Sequence, residues 1–438
     1  MPARVRLLAT ALAAAACLCL QTLQATASQA EVSRGVTIPA FYDPPATLPA
    51  ADGALVRTEH LPLALSLPSL PGPLPGSATR LMYKSTDAAG DPVAVTGAYI
   101  EPAAPWLGPG ARPLVALAPG TMGQGDQCAA SLGLEHPLVL NGRTVSVGYE
   151  DLSIYRLLAE GVAVVVTDYV GLGATDRLHT YVNRLDGAHA VLDAVRAARS
   201  LPGSSVTAAS RVGLFGYSQG GGATAAAAEL QPSYAPDITL SGTYAGAPPA
   251  DLTAVTAAID GSDLAGALGW AVNGFVQSDP ALRPLVDAHL GTAGRAALAD
   301  LSTMCVGDAI LAYGSQHSTA WTNDGSSISE VVAEEPALQA FLADQRIGRT
   351  APAGPVRVAT GVSDDLVPHA QARRLAVDWC GKGANVTYVP VVLPDAGRAL
   401  LNHLGPLLAD QSDAIAWLTA RLSGAPAVSN CWSMPAQP

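Results

Sequence analysis

Charge is scarce in this chain. Asp, Glu, Lys and Arg make up only 14% of its 438 residues, and no block of like charge occurs. Acidic residues outnumber basic ones, 36 to 24, for a net charge of −12. Nucleic acids and anionic membranes attract surfaces rich in Lys and Arg, so neither is an expected partner. A repeat of fixed period is also missing, which excludes solenoids and propellers. No apolar run, Leu7 to Leu20 included, is long enough to span a bilayer. The Ala-rich stretches are broken by polar residues and read as helices packed in a core. Apolar residues are plentiful, at 49%. Over this length they allow one large domain with an insertion, or two domains.

The N-terminus reads as an export signal, residues 1–27. Arg4 and Arg6 form a basic start, Leu7 to Leu20 an apolar stretch, and Ala25-Thr26-Ala27 and Ser28-Gln29-Ala30 both offer small residues for cleavage. The expected destination is therefore outside the cell or in its envelope. Of the six cysteines, Cys17 and Cys19 leave with the signal. Cys128, Cys305, Cys380 and Cys431 remain. An even number in an oxidising compartment implies disulfides, and four cysteines allow three pairings.

Residues 211–222, RVGLFGYSQGGG, organise the rest. Val212 to Phe215 is a buried-strand run. Gly216-Tyr217-Ser218-Gln219-Gly220 is a G-x-S-x-G turn, and an Ala-rich helix follows. Strand, tight turn and helix are the context of a nucleophile elbow. The glycines keep Cβ atoms away from a strained backbone, and the helix aims its first amides at the charge that forms on the substrate.

Around this elbow strands and helices alternate. Residues 28–78 are Pro-rich and read as an extended arm. Residues 79–85 and 93–100 form a hairpin, and 114–118 and 162–166 are buried strands. Residues 185–201 form a helix, and strands recur at 238–244, 355–360 and 385–392. Helices are expected over 369–380 and 410–422. Continuous apolar strand runs mark a mostly parallel sheet covered on both faces. The order is that of an α/β hydrolase. The segment 250–350 is too long for a crossover and reads as a helical cap. It divides the core into residues 79–249 and 351–438.

In this fold the acid and then the histidine follow the serine. Asp364 and Asp365 both lie past strand 355–360. Only His369 and His403 come later in the chain. His369 sits beside the acid, on the wrong loop, whereas His403 lies past the last strand. Ser218 is thus the expected nucleophile and His403 its general base, oriented by an aspartate. The Gln219 amide is one oxyanion donor, and the loop after strand 114–118 supplies the second.

The chain resembles the secretory lipase family, exported α/β hydrolases of the lipase A type. The resemblance rests on FYDPPATLP, LAPGTMGQGDQCA, VVVTDYVGLG, HTYVN, GYSQGGG, ELQPSYAP, GAPPADL, GVSDDLVP and the C-terminal WL…G.PA…C pattern. It implies Asp364 rather than Asp365 as the acid, and a disulfide from Cys128 to Cys305 with another from Cys380 to Cys431. It also implies ester hydrolysis on acylglycerols or simpler esters, an acyl tunnel shaped by the cap, and no metal or cofactor. A transient contact with a lipid interface is allowed for. The chain departs from the HGGG-type oxyanion loop of many lipases: it has Pro119-Gly120-Thr121-Met122-Gly123. The second donor is placed at Thr121, with Met122 and Gly123 open. An exported peptidase, an acyltransferase and an inactive binding protein are the alternatives on the same fold.

Overall fold

A computed structural model describes residues 31–66 and 75–438. The expected export signal, residues 1–27, lies outside them. A nine-stranded sheet runs through the molecule. Its strands are β1 (Leu55–Leu61), β2 (Gly76–Thr86), β3 (Pro92–Pro102), β4 (Leu114–Ala118), β5 (Ala163–Val170), β6 (Val212–Tyr217), β7 (Leu240–Gly246), β8 (Val356–Gly361) and β9 (Val386–Val391). The spatial order is β9-β8-β7-β6-β4-β5-β3-β2-β1. Ladders from β9 to β5 are parallel, and those from β5 to β1 antiparallel.

The sequence explains the centre of this sheet. Every residue of β4, β5, β6 and β8 is buried. A strand covered on both faces has no polar side, so β4, β6 and the first half of β5 read as apolar runs, while β8 buries Arg357 by pairing it with Asp410. Helices supply the cover: α1 (Ala130–Glu135), α2 (Asp151–Ala159), α3 (Arg184–Ser200), α4 (Gln219–Tyr234), α12 (His369–Gly381) and α13 (Ala399–Leu422). The start of α3 is fixed by Asn183, whose side chain accepts from the amides of Leu185 and Asp186; such caps hold the first turn by about 1 kcal/mol. Between β7 and β8, residues 252–345 form seven further helices, α5 to α11. Among them α6 is Ala267–Ser278 and α9 is Val306–Tyr313. Trp270 and Leu301 are fully buried in their apolar cluster.

Two features differ from the sequence reading. The Pro-rich segment is more than an arm, because β1 pairs antiparallel with β2. Most of β1 is exposed or half-buried, as suits an edge strand with only one face to pack. The last helix starts at Ala399 rather than Asp410. Gly405-Pro406 reads as a stop, since proline removes an amide and crowds the carbonyl four residues back. Here Pro406 packs against Gly361 instead: a Cβ there would lie 2.4 Å from its ring. The Tyr217 hydroxyl donates to the carbonyl of His403, in the turn before the proline, at 2.7 Å.

Both predicted disulfides are present, Cys128–Cys305 and Cys380–Cys431. The first joins the loop after β4 to the helical insertion. The second ties the C-terminal tail to α12. Among the described residues, no helix is long and apolar enough to cross a membrane.

Candidate active site

The site lies at the carboxyl ends of the parallel strands, where open α/β sheets place their ligands. Ser218 follows β6 and begins α4. Its φ of 59° and ψ of −123° put a non-glycine residue in a strained region, at a cost of order 1–3 kcal/mol that the surroundings must offset. The offset is visible in the two flanking glycines. A Cβ on Gly216 would lie 2.2 Å from the Gly220 carbonyl oxygen. One on Gly220 would lie 1.9 Å from that of Ala118. The turn is therefore pressed against β4, and the Ser218 amide donates to Gly246 of β7 at 2.9 Å.

Asp364 and His403 come from loop and helix beyond β8 and β9. His403 Nδ1 donates to Asp364 Oδ2 at 2.8 Å. The other carboxylate oxygen accepts from the amides of Leu366 and Val367, at 3.1 and 2.9 Å. Both side chains are buried. Asp365 is exposed, and His369 meets the Tyr388 hydroxyl at 3.1 Å. The structure thus brings Asp364 to His403 and leaves the other two candidates apart. With Nδ1 bonded to a carboxylate, the proton sits there and Nε2 is left as a base. That Nε2 is buried and has no partner among the described residues. His403 stands beside the elbow, its ring 5.2 Å from that of Tyr217.

The loop after β4 is held by a set of polar side chains. Glu150 Oε1 accepts from the Gly120 amide at 2.7 Å. Tyr149 donates to the Thr121 carbonyl at 3.0 Å, and Tyr169 to that of Pro119 at 2.6 Å. The Thr121 amide has no partner among the described residues, and Thr121, Ser218 and Gln219 line one cavity. The first amides of α4, that of Gln219 included, have no acceptor within the helix. Burial pushes Glu150 up to about 7, with Asp151 adding to the shift and the Gly120 amide opposing it.

Gln219 is oriented from the side. Its Nε2 lies 3.1 Å from His179 Nε2. His179 Nδ1 is 2.9 Å from the Val170 carbonyl oxygen, which can only accept. The proton is therefore on Nδ1, and Nε2 accepts from Gln219. Burial lowers His179 to about 4, so the ring is neutral and the tautomer is held. Nothing in sequence position separates His179 from other histidines; the HTYVN string was its only signal. Asp168, at the end of β5, is fully buried and bonds Ser131 and Thr96. It braces α1 against β3 and is not among the residues lining the cavity.

The rest of the cavity wall is apolar. Leu252, Val255, Ile259, Leu264, Leu268 and Phe275 come from the insertion, and Leu366 from the acid loop. A second apolar cavity shares Thr256, Leu268, Ala271 and Phe275 with it and is lined wholly by residues of the insertion. The insertion is stitched to the loop after β4. Gln124 N donates to Met304 O at 2.9 Å and Val306 N to Met122 O at 2.8 Å. Gln124 Nε2 also donates to the Trp270 carbonyl at 3.1 Å. Among the described residues no cluster of His, Cys, Asp or Glu could hold a metal ion.

Comparison with known proteins agrees with this architecture. Candida antarctica lipase A in its closed state superposes with a TM-score of 0.74 at 20% identity, over 89% of this chain and 87% of that one. A Mycobacterium tuberculosis protein named "Probable inactive lipase" is 30% identical over 391 residues, covering 88% of this chain and 82% of the relative. Lipase 10 of Candida albicans is 26% identical over 91% of this chain and 84% of its own length. A family model described as secretory lipase matches residues 134–430, so the chain belongs to the secretory lipase family and has its α/β-hydrolase fold.

Proposed function

We propose that this protein is an exported serine ester hydrolase acting on acylglycerols or simpler esters. One observation carries the reading: a buried aspartate–histidine pair, its Nε2 without a partner among the described residues, packs its ring against Tyr217, the residue before a serine on a strained elbow. In this reading Ser218 attacks the ester carbonyl while His403 Nε2 takes its proton. The tetrahedral oxyanion is met by the amides of Gln219 and Thr121. Collapse expels the alcohol, to which His403 returns the proton, and leaves an acyl-enzyme on Ser218. Water repeats the sequence and frees the acid. Asp364 holds the imidazole tautomer and stabilises the imidazolium. No metal or cofactor enters these steps.

The apolar walls supplied by the insertion favour an acyl chain over a peptide side chain with polar groups. The insertion, residues 250–350, acts in this reading as a cap. Export is supported by the two disulfides, which persist in oxidising compartments, and by the N-terminal pattern. A second reading has one specific support, the relative named as an inactive lipase: a hydrolase fold kept for binding.

One experiment separates them. A fluorophosphonate probe is expected to label Ser218 and not the Ser218→Ala variant, with turnover of p-nitrophenyl esters that depends on acyl length. Absence of labelling, with no ester turned over from acetyl to long acyl, would favour the binding reading. Cleavage of aminoacyl amides in preference to esters would point to a peptidase.

A further inference from the structure

We infer that the Thr121–Tyr181 hydroxyl pair supplies a third oxyanion donor, the Thr121 side-chain O–H, in addition to the two backbone amides. The inference rests on the serine-hydrolase reading and deepens it. Thr121 Oγ1 and Tyr181 Oη lie 2.8 Å apart, and both residues are buried. Neither hydroxyl has another hydrogen-bond partner among the described residues. Two hydroxyls carry two hydrogens, and the bond between them uses one. The other has no acceptor among the described residues. Both residues line the cavity that Ser218 and Gln219 line, so the spare hydrogen is available to whatever enters it.

The direction of the bond follows from acidity. A phenol is a far stronger acid than an alkyl alcohol, so it is the better donor and the alcohol the better acceptor. Tyr181 O–H donates to Thr121 Oγ1, and the Thr121 O–H is left over. A hydroxyl that accepts one hydrogen bond is polarised and donates more strongly. The donor is also preplaced. Tyr181 holds φ at 53°, its ring meets Trp270 edge-on at 5.8 Å, and its carbonyl faces Gln219 Nε2 at 3.4 Å. The Thr121 backbone is held by Tyr149 and by the Glu150 bond to Gly120. One residue thus offers two donors, its amide and its hydroxyl, and Tyr181 orients the second of them.

The test compares variants that keep the Thr121 amide. Thr121→Val retains shape and removes the hydroxyl. Loss of one oxyanion donor lowers kcat by about 100-fold or more, so that loss is expected for p-nitrophenyl butyrate with KM little changed. Thr121→Ser should recover most of the rate. Tyr181→Phe removes the polarising partner but leaves the Thr121 O–H, and the expected loss is smaller than for Thr121→Val. An alkylboronic acid, whose tetrahedral adduct presents an oxygen to the same donors, should bind Thr121→Val more weakly in proportion to kcat. Should Thr121→Val not fold, Thr121→Ala against Thr121→Ser makes the same comparison. Wild-type kcat in the hydroxyl-free variant would overturn the donor assignment and leave the hydrolase reading standing. A wild-type protein that neither reacts with fluorophosphonate nor turns over esters would remove the hydrolase reading itself.

Discussion

Replacing Glu150 by Gln should stabilise the protein above neutral pH and do nothing at low pH. The Glu150 carboxyl is buried and accepts from the Gly120 amide at 2.7 Å, with Asp151 beside it in sequence. Burial is the largest cause of its rise from 4.5 to about 7. Asp151 is itself pushed up to about 7 by burial. The native state therefore holds a proton on Glu150 over a range where the unfolded chain has released it. Stability falls as pH rises from 4.5 through 7, because the native state binds more protons there. Above 7 both states are ionised and the native one carries the full cost of a buried charge. At about 1.4 kcal/mol per pH unit, that cost is about 3 kcal/mol. Glutamine keeps an oxygen for the Gly120 amide and carries no charge. Urea unfolding of both proteins at pH 4 and pH 8 measures the difference. The expected result is equal stability at pH 4 and a variant more stable by about 3 kcal/mol at pH 8. A variant no more stable at pH 8, or a gap that widens toward pH 4, would refute the reasoning.

Two further perturbations follow from the geometry. Gly220→Ala puts a methyl 1.9 Å from the Ala118 carbonyl oxygen, a backbone atom that cannot step aside. Loss of soluble folded protein, or of nearly all activity, is expected in expression and ester assays. Near-normal activity would contradict the close approach of elbow and β4. The two disulfides should separate by effect. Removing Cys380–Cys431, which closes 51 residues of separation, should cost up to about 4 kcal/mol with kcat retained in what remains folded. Removing Cys128–Cys305 should lower kcat as well, since that bridge joins the insertion to the loop carrying Thr121. Equal kcat for both double-serine variants would argue against this coupling.

The parts of this fold that were readable in sequence are those where one physical rule dominates. Strands buried on both faces are continuous apolar runs, so β4, β5 and β6 stand out. The elbow is legible because its glycines meet backbone, and no other residue fits. The edge strand β1 was hidden because half-exposed residues flanked by proline look like an arm. The first turns of α13 were hidden because Pro406 reads as a stop until Gly361 is seen to make room for it. Ser218, Asp364 and His403 could be proposed from chain order alone. Tyr181, His179 and Glu150 could not, since each acts through a contact made across long sequence distance: 60 residues to Thr121, 40 to Gln219 and 30 to Gly120.

The central claim is a covalent one, that an acyl group rides on Ser218 between two halves of the reaction. Mixing the enzyme with a p-nitrophenyl ester, quenching in acid within the first turnovers and measuring peptide masses tests it directly. The account predicts a mass increase equal to the acyl group on the peptide containing Ser218, and none in Ser218→Ala. Undiminished ester turnover by Ser218→Ala, with no acylated peptide from either protein, would contradict it.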